Sequence, residues 1–235
     1  MKTILTFLTG FVLCASTATK AAEKSNALTR AEKKDGWRLL FNGKSLDGWQ
    51  PYSGKGEIGN GWAVRDGLLI KQADTKGGDI MTIDSFEDFE FSWEWNIAEA
   101  GNNGVKYFIT KERGKAIGHE YQLLDDEKHP DGKNGTKRLL AAFYDVLPVD
   151  TEKTFNGTGE WNSSRLVVKG NHVEHWLNGT KVLSYECGSK AVMDAVKGSK
   201  FKSVEGFGKK VRGHILLTDH KDECLFRNLK LRELK

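Results

Sequence analysis

The stretch from Arg165 to Tyr185 constrains the fold more than any other part of this chain. It reads as three alternating apolar runs, broken at Gly170-Asn171 and again at Asn178-Gly179. Asparagine and glycine tolerate the positive φ of a tight hairpin turn, whose twist matches that of the strands it joins. Three strands joined in this way form an antiparallel meander. A parallel sheet with helical crossovers cannot be built from connections this short.

The same signals recur along the chain. Trp62 to Ile70 reads as a hairpin turning at Asp66-Gly67. Phe89, Phe91, Trp93 and Trp95 alternate with Glu90, Ser92, Glu94 and Asn96, a period of two that gives one aromatic and one polar face. Val105 to Ile109, Glu120 to Leu124, His214 to Leu217 and Leu225 to Leu231 complete the strand set. One short helix is expected, at Ala191 to Lys197, ended near Gly198. Many short strands with regular turns predict an all-β chain, an antiparallel β-sandwich or jelly roll. Asp125 to Asn162 is the long irregular segment, and such loops usually carry function.

Residues 1–22 read as a signal peptide. Lys2 is followed by an apolar run from Ile4 to Ala15 and then by small residues. The run is too short to span a bilayer as a mature helix, and no later run is long enough. Cys14 raises the question of a lipid anchor, but Leu13 before it is a poor match to the small residue such a site takes. An exported chain is therefore expected, in the periplasm, secreted or at the cell surface. Residues 23–35 read as a flexible leader and residues 36–235 as one β-sandwich domain. Loss of Lys2 and Lys20 lowers the formal charge from +4 to +2, which gives no reason to invoke nucleic acid. Cys187 and Cys224 suit either one disulfide or two free buried thiols. Neither shows zinc spacing.

Glu120 and Gln122 project from one face of their strand, and Glu94 and Asn96 from one face of another. If those strands are neighbours, two carboxylates and two amides share a polar surface. Paired carboxylates suit acid–base work on sugars, and a solvated outer face gives the same pattern. The densest polar run, from Gly118 to Gly132, adds Asp125, His129 and Asp131. His129 reads as a general base, a metal ligand or a turn cap before Pro130. A divalent cation between His129 and Asp131 is a weak option, and nothing in the sequence requires a cofactor. Tyr144-Asp145 ends an apolar run and points to the same region. Arg227, alternating with Leu225 and Leu229, needs a carboxylate partner or edges the site. Most of the seven tryptophans sit among strand residues and are assigned to the core. No nucleophile elbow, phosphate loop or dinucleotide fingerprint is present.

These residues resemble a known family, the secreted bacterial 3-keto-disaccharide hydrolase domains, whose fold is similar to concanavalin A-like lectins and glucanases. The resemblance runs through Leu40-Phe-Asn-Gly-Lys-Ser-Leu-Asp-Gly-Trp49, Asp88-Phe-Glu-Phe-Ser-Trp-Glu-Trp95 and Gly101-Asn-Asn-Gly-Val105. It continues through Glu120-Tyr-Gln-Leu-Leu-Asp125, His129-Pro-Asp131, Gly159-Glu-Trp-Asn162, His175-Trp-Leu-Asn-Gly179, Asp219-His220 and Phe226-Arg-Asn228. It implies a substrate oxidised at C3, an oligosaccharide or glucoside, cleaved by C1–C2 elimination, hydrated at the resulting 3-keto-2-hydroxyglucal, or both. A ketone at C3 acidifies the C2 hydrogen, so a base can remove it and the C1 substituent can leave.

Under that resemblance Glu120 or His129 is the base and the other the acid, with Asp125 and Asp131 orienting His129 and Glu94 on the same polar face. Gln122, Asn103, Lys106, Asp131, Tyr144, Asp145, His220 and Arg227 are expected to bind substrate. Two positions depart from the family pattern. Lys106-Tyr-Phe stands where an arginine is expected, and Leu217-Thr218 where Leu-Gln precedes the Asp-His pair. The rival readings are a non-catalytic carbohydrate-binding module on the same sandwich and a surface interaction protein. The first predicts an open groove with exposed aromatic rings, the second a large exposed apolar patch.

Overall fold

The computed structural model describes residues 25–235, so residues 1–22, read above as a signal peptide, and Cys14 lie outside the described residues. In chain order the elements are α1 (Arg30–Lys34), β1 (Arg38–Leu39), β2 (Trp49–Pro51), β3 (Trp62–Arg65), β4 (Leu68–Lys71), β5 (Ile80–Thr82) and β6 (Phe89–Ile97). They continue with β7 (Asn102–Ile109), β8 (His119–Leu124), β9 (Asn162–Lys169), β10 (His172–Leu177), β11 (Thr180–Glu186), α2 (Lys190–Lys197), β12 (His214–Leu217) and β13 (Cys224–Glu233). Two sheets result. The larger has the order β11-β10-β9-β6-β13-β4-β3, with β1 also on β13, and the smaller has the order β2-β5-β12-β7-β8. Every pairing is antiparallel.

The expected strands and the β9–β10–β11 meander are all present, and the Asp66-Gly67 hairpin turns through two positive φ angles. The period of two then decides what meets in the middle. Phe91 and Trp93 of β6 stack with centroids 4.8 Å apart, and Trp93 meets Tyr121 of β8 edge-on at 5.1 Å. Aromatic faces from both sheets therefore close one core, and each sheet keeps an outer face. α2 starts at Ser189, whose hydroxyl accepts the Val192 N–H, and buries Val192 and Val196, one turn apart.

The sequence-based reading of residues 23–35 as a flexible leader is corrected over its described part. Asn26 exchanges backbone and side-chain hydrogen bonds with Asn228. Thr29 and Glu32 form a capping box on α1, which the alternation analysis missed because one helical turn has no periodicity. The cysteine question is also answered. Among the described residues Cys187 and Cys224 are both free and buried. β11 and β13 lie four strands apart in the large sheet, on the order of 19 Å, far beyond disulfide reach. No helix among the described residues is long and apolar enough to cross a membrane.

Candidate active site

One row of side chains crosses the outer face of the small sheet. Antiparallel register aligns Gln50 with Met81, Met81 with Leu216, Leu216 with Lys106, and Lys106 with Glu120. Directly opposed residues on one face have Cβ atoms about 5 Å apart, so Lys106 and Glu120 are immediate neighbours. The row changes character across the sheet, from buried Met81 and Leu216 to the ionisable pair. In the next outward-facing position on β8, Gln122 donates to Asn102 Oδ1 (3.2 Å). Asn102, rather than the expected Asn103, is the amide on this face.

Glu120 is 6% exposed, and among the described residues its carboxylate makes no hydrogen bond. Gly104, opposite Gln122, leaves open the space the carboxylate fills: a Cβ there would overlap Glu120 Oε1. The surroundings are cationic. Lys106 donates to the Ala116 carbonyl (3.2 Å) rather than to Glu120. Lys200 places its ammonium 4.1 Å from the centre of the Tyr144 ring. Although Lys200 is exposed as a residue, burial of the ammonium against its neighbours lowers its pKa, opposed by the Glu120 and Asp145 charges. A carboxylate without fixed partners, beside cations that are not bonded to it, is free to take up a proton from a bound molecule.

The strap that follows β8 supplies the far wall. Ala141 to Tyr144 runs along the open edge of β8: Ala141 N–H donates to the Gln122 carbonyl (2.8 Å), and Tyr144 N–H to the Glu120 carbonyl (3.1 Å). Arg138 clamps its ends, donating to Asp131 Oδ1 (3.0 Å) and Asp145 Oδ1 (2.8 Å). The Tyr144 hydroxyl donates to Asp131 Oδ2 (2.7 Å). Burial first, then this bond and the Asp131 charge, raise the Tyr144 pKa, so the phenol stays protonated. Asp131 is held below the usual carboxylate range by Asn134, Tyr144 and Arg138, although burial, the largest single influence, pushes it up.

Behind the strap lies a buried polar chain. His175 Nδ1 bonds the Ala141 carbonyl (2.8 Å), which can only accept, so the proton is on Nδ1 and Nε2 accepts from Tyr107 (2.8 Å). The Tyr107 hydroxyl then accepts from Tyr185 (2.6 Å), and Tyr185 from His119 Nδ1 (2.9 Å). Among the described residues His119 Nε2 is left buried without a partner. This chain ties the larger sheet to the strap that carries Tyr144.

On the other side of Glu120 the chain leaves β12 at Leu217. Leu217 packs in the core and Asp219 turns toward the larger sheet, where it pairs with the fully buried Lys71 (3.0 Å). Asp219 also accepts the N–H groups of Gly77 and Gly78. His220, the next residue, lies near enough to Glu120 and Lys106 for both charges to act on it. Burial, the largest influence, lowers its pKa. His220 lines a cavity of about 380 Å³ with Asp74, Thr75, Lys76, Asp219 and Lys221. A larger cavity of about 680 Å³ lies around Arg113 and Lys209, but none of the acid–base groups above lines it, so volume does not mark this site.

The structure thus gathers Glu120, Gln122, Lys106, Tyr144, Asp131, Asp145 and His220, and corrects five other expectations. Glu94 lies on the outer face of the larger sheet, because Trp93 and Trp95 take the inner face, and it accepts from Arg227 (2.6 Å) and Asn228 (2.8 Å). Glu94 and Arg227 are therefore an ion pair on the opposite side of the sandwich from Glu120. Asn103 is buried and bonded to the Thr218 carbonyl (3.2 Å), since the strand period turns it inward. Asp125 accepts backbone N–H groups of Ala100, Glu127 and Lys128, and it orients the loop rather than His129. His129 Nδ1 accepts the Asp131 N–H (3.0 Å) as a turn cap. That cap occupies one His129 nitrogen, and Asp131 is bonded to Arg138, Asn134 and Tyr144. No metal-binding group of three or more such residues exists among the described residues. Lys200 and Arg138 were missed, because an isolated basic residue in a loop has no sequence signal.

The model of the 3-keto-alpha-glucoside-1,2-lyase-like domain matches residues 36–232. The chain belongs to this family. The chain is also similar to the 3-keto-disaccharide hydrolase of Bacteroides thetaiotaomicron, 31% identical over 93% of this chain and 85% of that protein. A crystal structure of a Parabacteroides distasonis protein assigned as a candidate glycosyl hydrolase superposes with a TM-score of 0.81 at 33% identity, covering 90% of this chain and all of that one. A second structure from the same organism, with the same assignment, gives a TM-score of 0.67 at 27% identity over 84% of this chain.

Proposed function

We propose that this family member cleaves glycosides oxidised at C3, with Glu120 as the base that removes the C2 hydrogen. The observation that carries the reading is the Glu120 carboxylate: buried, without a hydrogen bond to another described residue, and flanked by Lys106, Lys200 and His220. Removal of the C2 proton leaves an enolate whose charge sits on the C3 oxygen. Lys106 and Lys200 supply the positive field for it, and preorganised charge of this kind is commonly the largest contribution to such catalysis. The C1–O bond then breaks, the departing oxygen takes a proton, and a 3-keto-2-hydroxyglucal remains. Addition of water at C1, with a proton returned to C2, completes net hydrolysis. The name of the B. thetaiotaomicron relative supports a substrate of this class.

The binding-module reading asks for an exposed aromatic platform. Among the described residues the exposed large hydrophobic side chain is Ile83, which favours neither that reading nor an apolar docking patch. Export, read from residues 1–22, is part of the proposal and is checked by N-terminal sequencing of the mature protein. The decisive experiment is incubation with a 3-keto-glucoside while following the enone absorbance. Glu120→Gln is expected to lower turnover by about 10²–10⁴-fold. Near-full turnover in that variant would sink the assignment.

A further inference from the structure

We infer that the cavity lined by His220, Lys76 and Lys221 receives the leaving group, and that His220 delivers the proton to the departing oxygen. This rests on the elimination proposed above. Three observations carry it. His220 lines the cavity and is close enough to Glu120 for that charge to act on it, so the base and the cavity share this residue. Its ring makes no hydrogen bond to another described residue, while Asp219 beside it is anchored to Lys71, Gly77 and Gly78. The cavity, about 380 Å³, has the size of small-molecule sites and is lined by Asp74, Thr75, Lys76, Asp219, His220 and Lys221, without an aromatic or aliphatic residue.

A substrate with C2 at Glu120 has its C1 substituent on one side of that carboxylate. The strap with Tyr144 and the Arg138 clamp closes the β8 side, and the cavity opens on the β12 side. A wall of two lysines, two aspartates, a threonine and His220 offers hydrogen-bond donors and acceptors to a hydroxylated leaving group and no ring or aliphatic side chain for an aryl group to pack on. In the cleavage step the enolate's C3–O electrons re-form the ketone, the C2–C3 double-bond pair becomes the C1–C2 double bond, the C1–O pair leaves with the oxygen, and the imidazolium of His220 supplies that oxygen's proton. The proton on Glu120 returns to solvent. Burial makes the imidazolium scarcer and a stronger acid, and the Glu120, Asp79 and Asp222 carboxylates act in the other direction, against Lys106.

The test compares three 3-keto-glucosides: 4-nitrophenyl, methyl and glucosyl. A 4-nitrophenolate leaves without a proton, whereas methoxide and a sugar alkoxide do not. His220→Asn is expected to lower the ratio of glucosyl to 4-nitrophenyl kcat about 100-fold. His220→Gln serves as the second variant, with folding of both checked by circular dichroism. Lys76→Ala is expected to raise KM for the glucosyl compound about tenfold more than for the methyl compound. Loss shared equally by all three substrates, or no loss, overturns the role of His220. An unchanged glucosyl KM in Lys76→Ala overturns the subsite. Glu120→Gln is run beside them: if it keeps turnover on all three, the elimination reading fails instead.

Discussion

The Glu120 carboxylate occupies the space that a side chain at residue 104 would need, and Gly104 provides it by having none. The group that must yield is the end of a flexible side chain. Gly104→Ala is therefore expected to leave the fold nearly intact, within about 1 kcal/mol by urea denaturation, while turnover of a 3-keto-glucoside falls at least tenfold. A large stability loss with turnover per folded molecule unchanged would contradict this account.

The two carboxylates singled out by strand alternation should separate under mutation. Glu94 pairs with Arg227 and Asn228 on the far sheet. Glu94→Gln is expected to keep kcat and KM within about twofold and to cost no more than about 1 kcal/mol of stability, since the pair is partly exposed. A kinetic effect approaching that of Glu120→Gln would show that the large sheet's outer face takes part.

Acid should weaken the fold through its buried histidines. Burial lowers the His175 pKa to about 4, and pushes that of His119 well down. In the unfolded chain a histidine titrates near 6.5. Below 6.5 the unfolded state therefore binds protons that the folded state refuses, and stability falls as pH drops from 6.5 toward 4. For His175 alone the loss is about 3 kcal/mol. Urea midpoints measured at pH 7.5 and pH 5 should differ, and His175→Gln should shrink that difference. A flat profile across this window would rule out neutral buried imidazoles.

Lys71 is fully buried against Asp219, the residue before His220. Lys71→Met leaves Asp219 facing the interior without its cation. The expected cost is about 3 kcal/mol, read from the denaturation midpoint, together with a fall in turnover as His220 loses its support. Turnover retained at full stability would mean that the pair holds nothing in place.

Much of the fold was legible because it is written in local chemistry. The period of two in β6 and the Asn-Gly turn of the meander follow from which side chains a pleated strand can bury and which residues accept positive φ. The short β2 and β5 were not legible, since three residues carry no periodicity. Within the site, Glu120, Gln122 and Lys106 were recognised because they share a strand face or lie in a motif. Asn103 was mistaken for Asn102 by one position, which in a strand is the difference between core and surface.

What the sequence by itself determined is the longer strands and which of their side chains alternate together on one face, because both depend on neighbours one or two residues away. What only the tertiary structure decided is which faces look at one another. Glu94 and Glu120 have the same local pattern, yet packing of Trp93 against Tyr121 turns their strands' polar faces in opposite directions. Lys200, Tyr144 and His220 reach Glu120 from loops far apart in the chain. Their meeting depends on sheet order and on buried anchors such as Lys71–Asp219, long-range terms on which no local pattern reports.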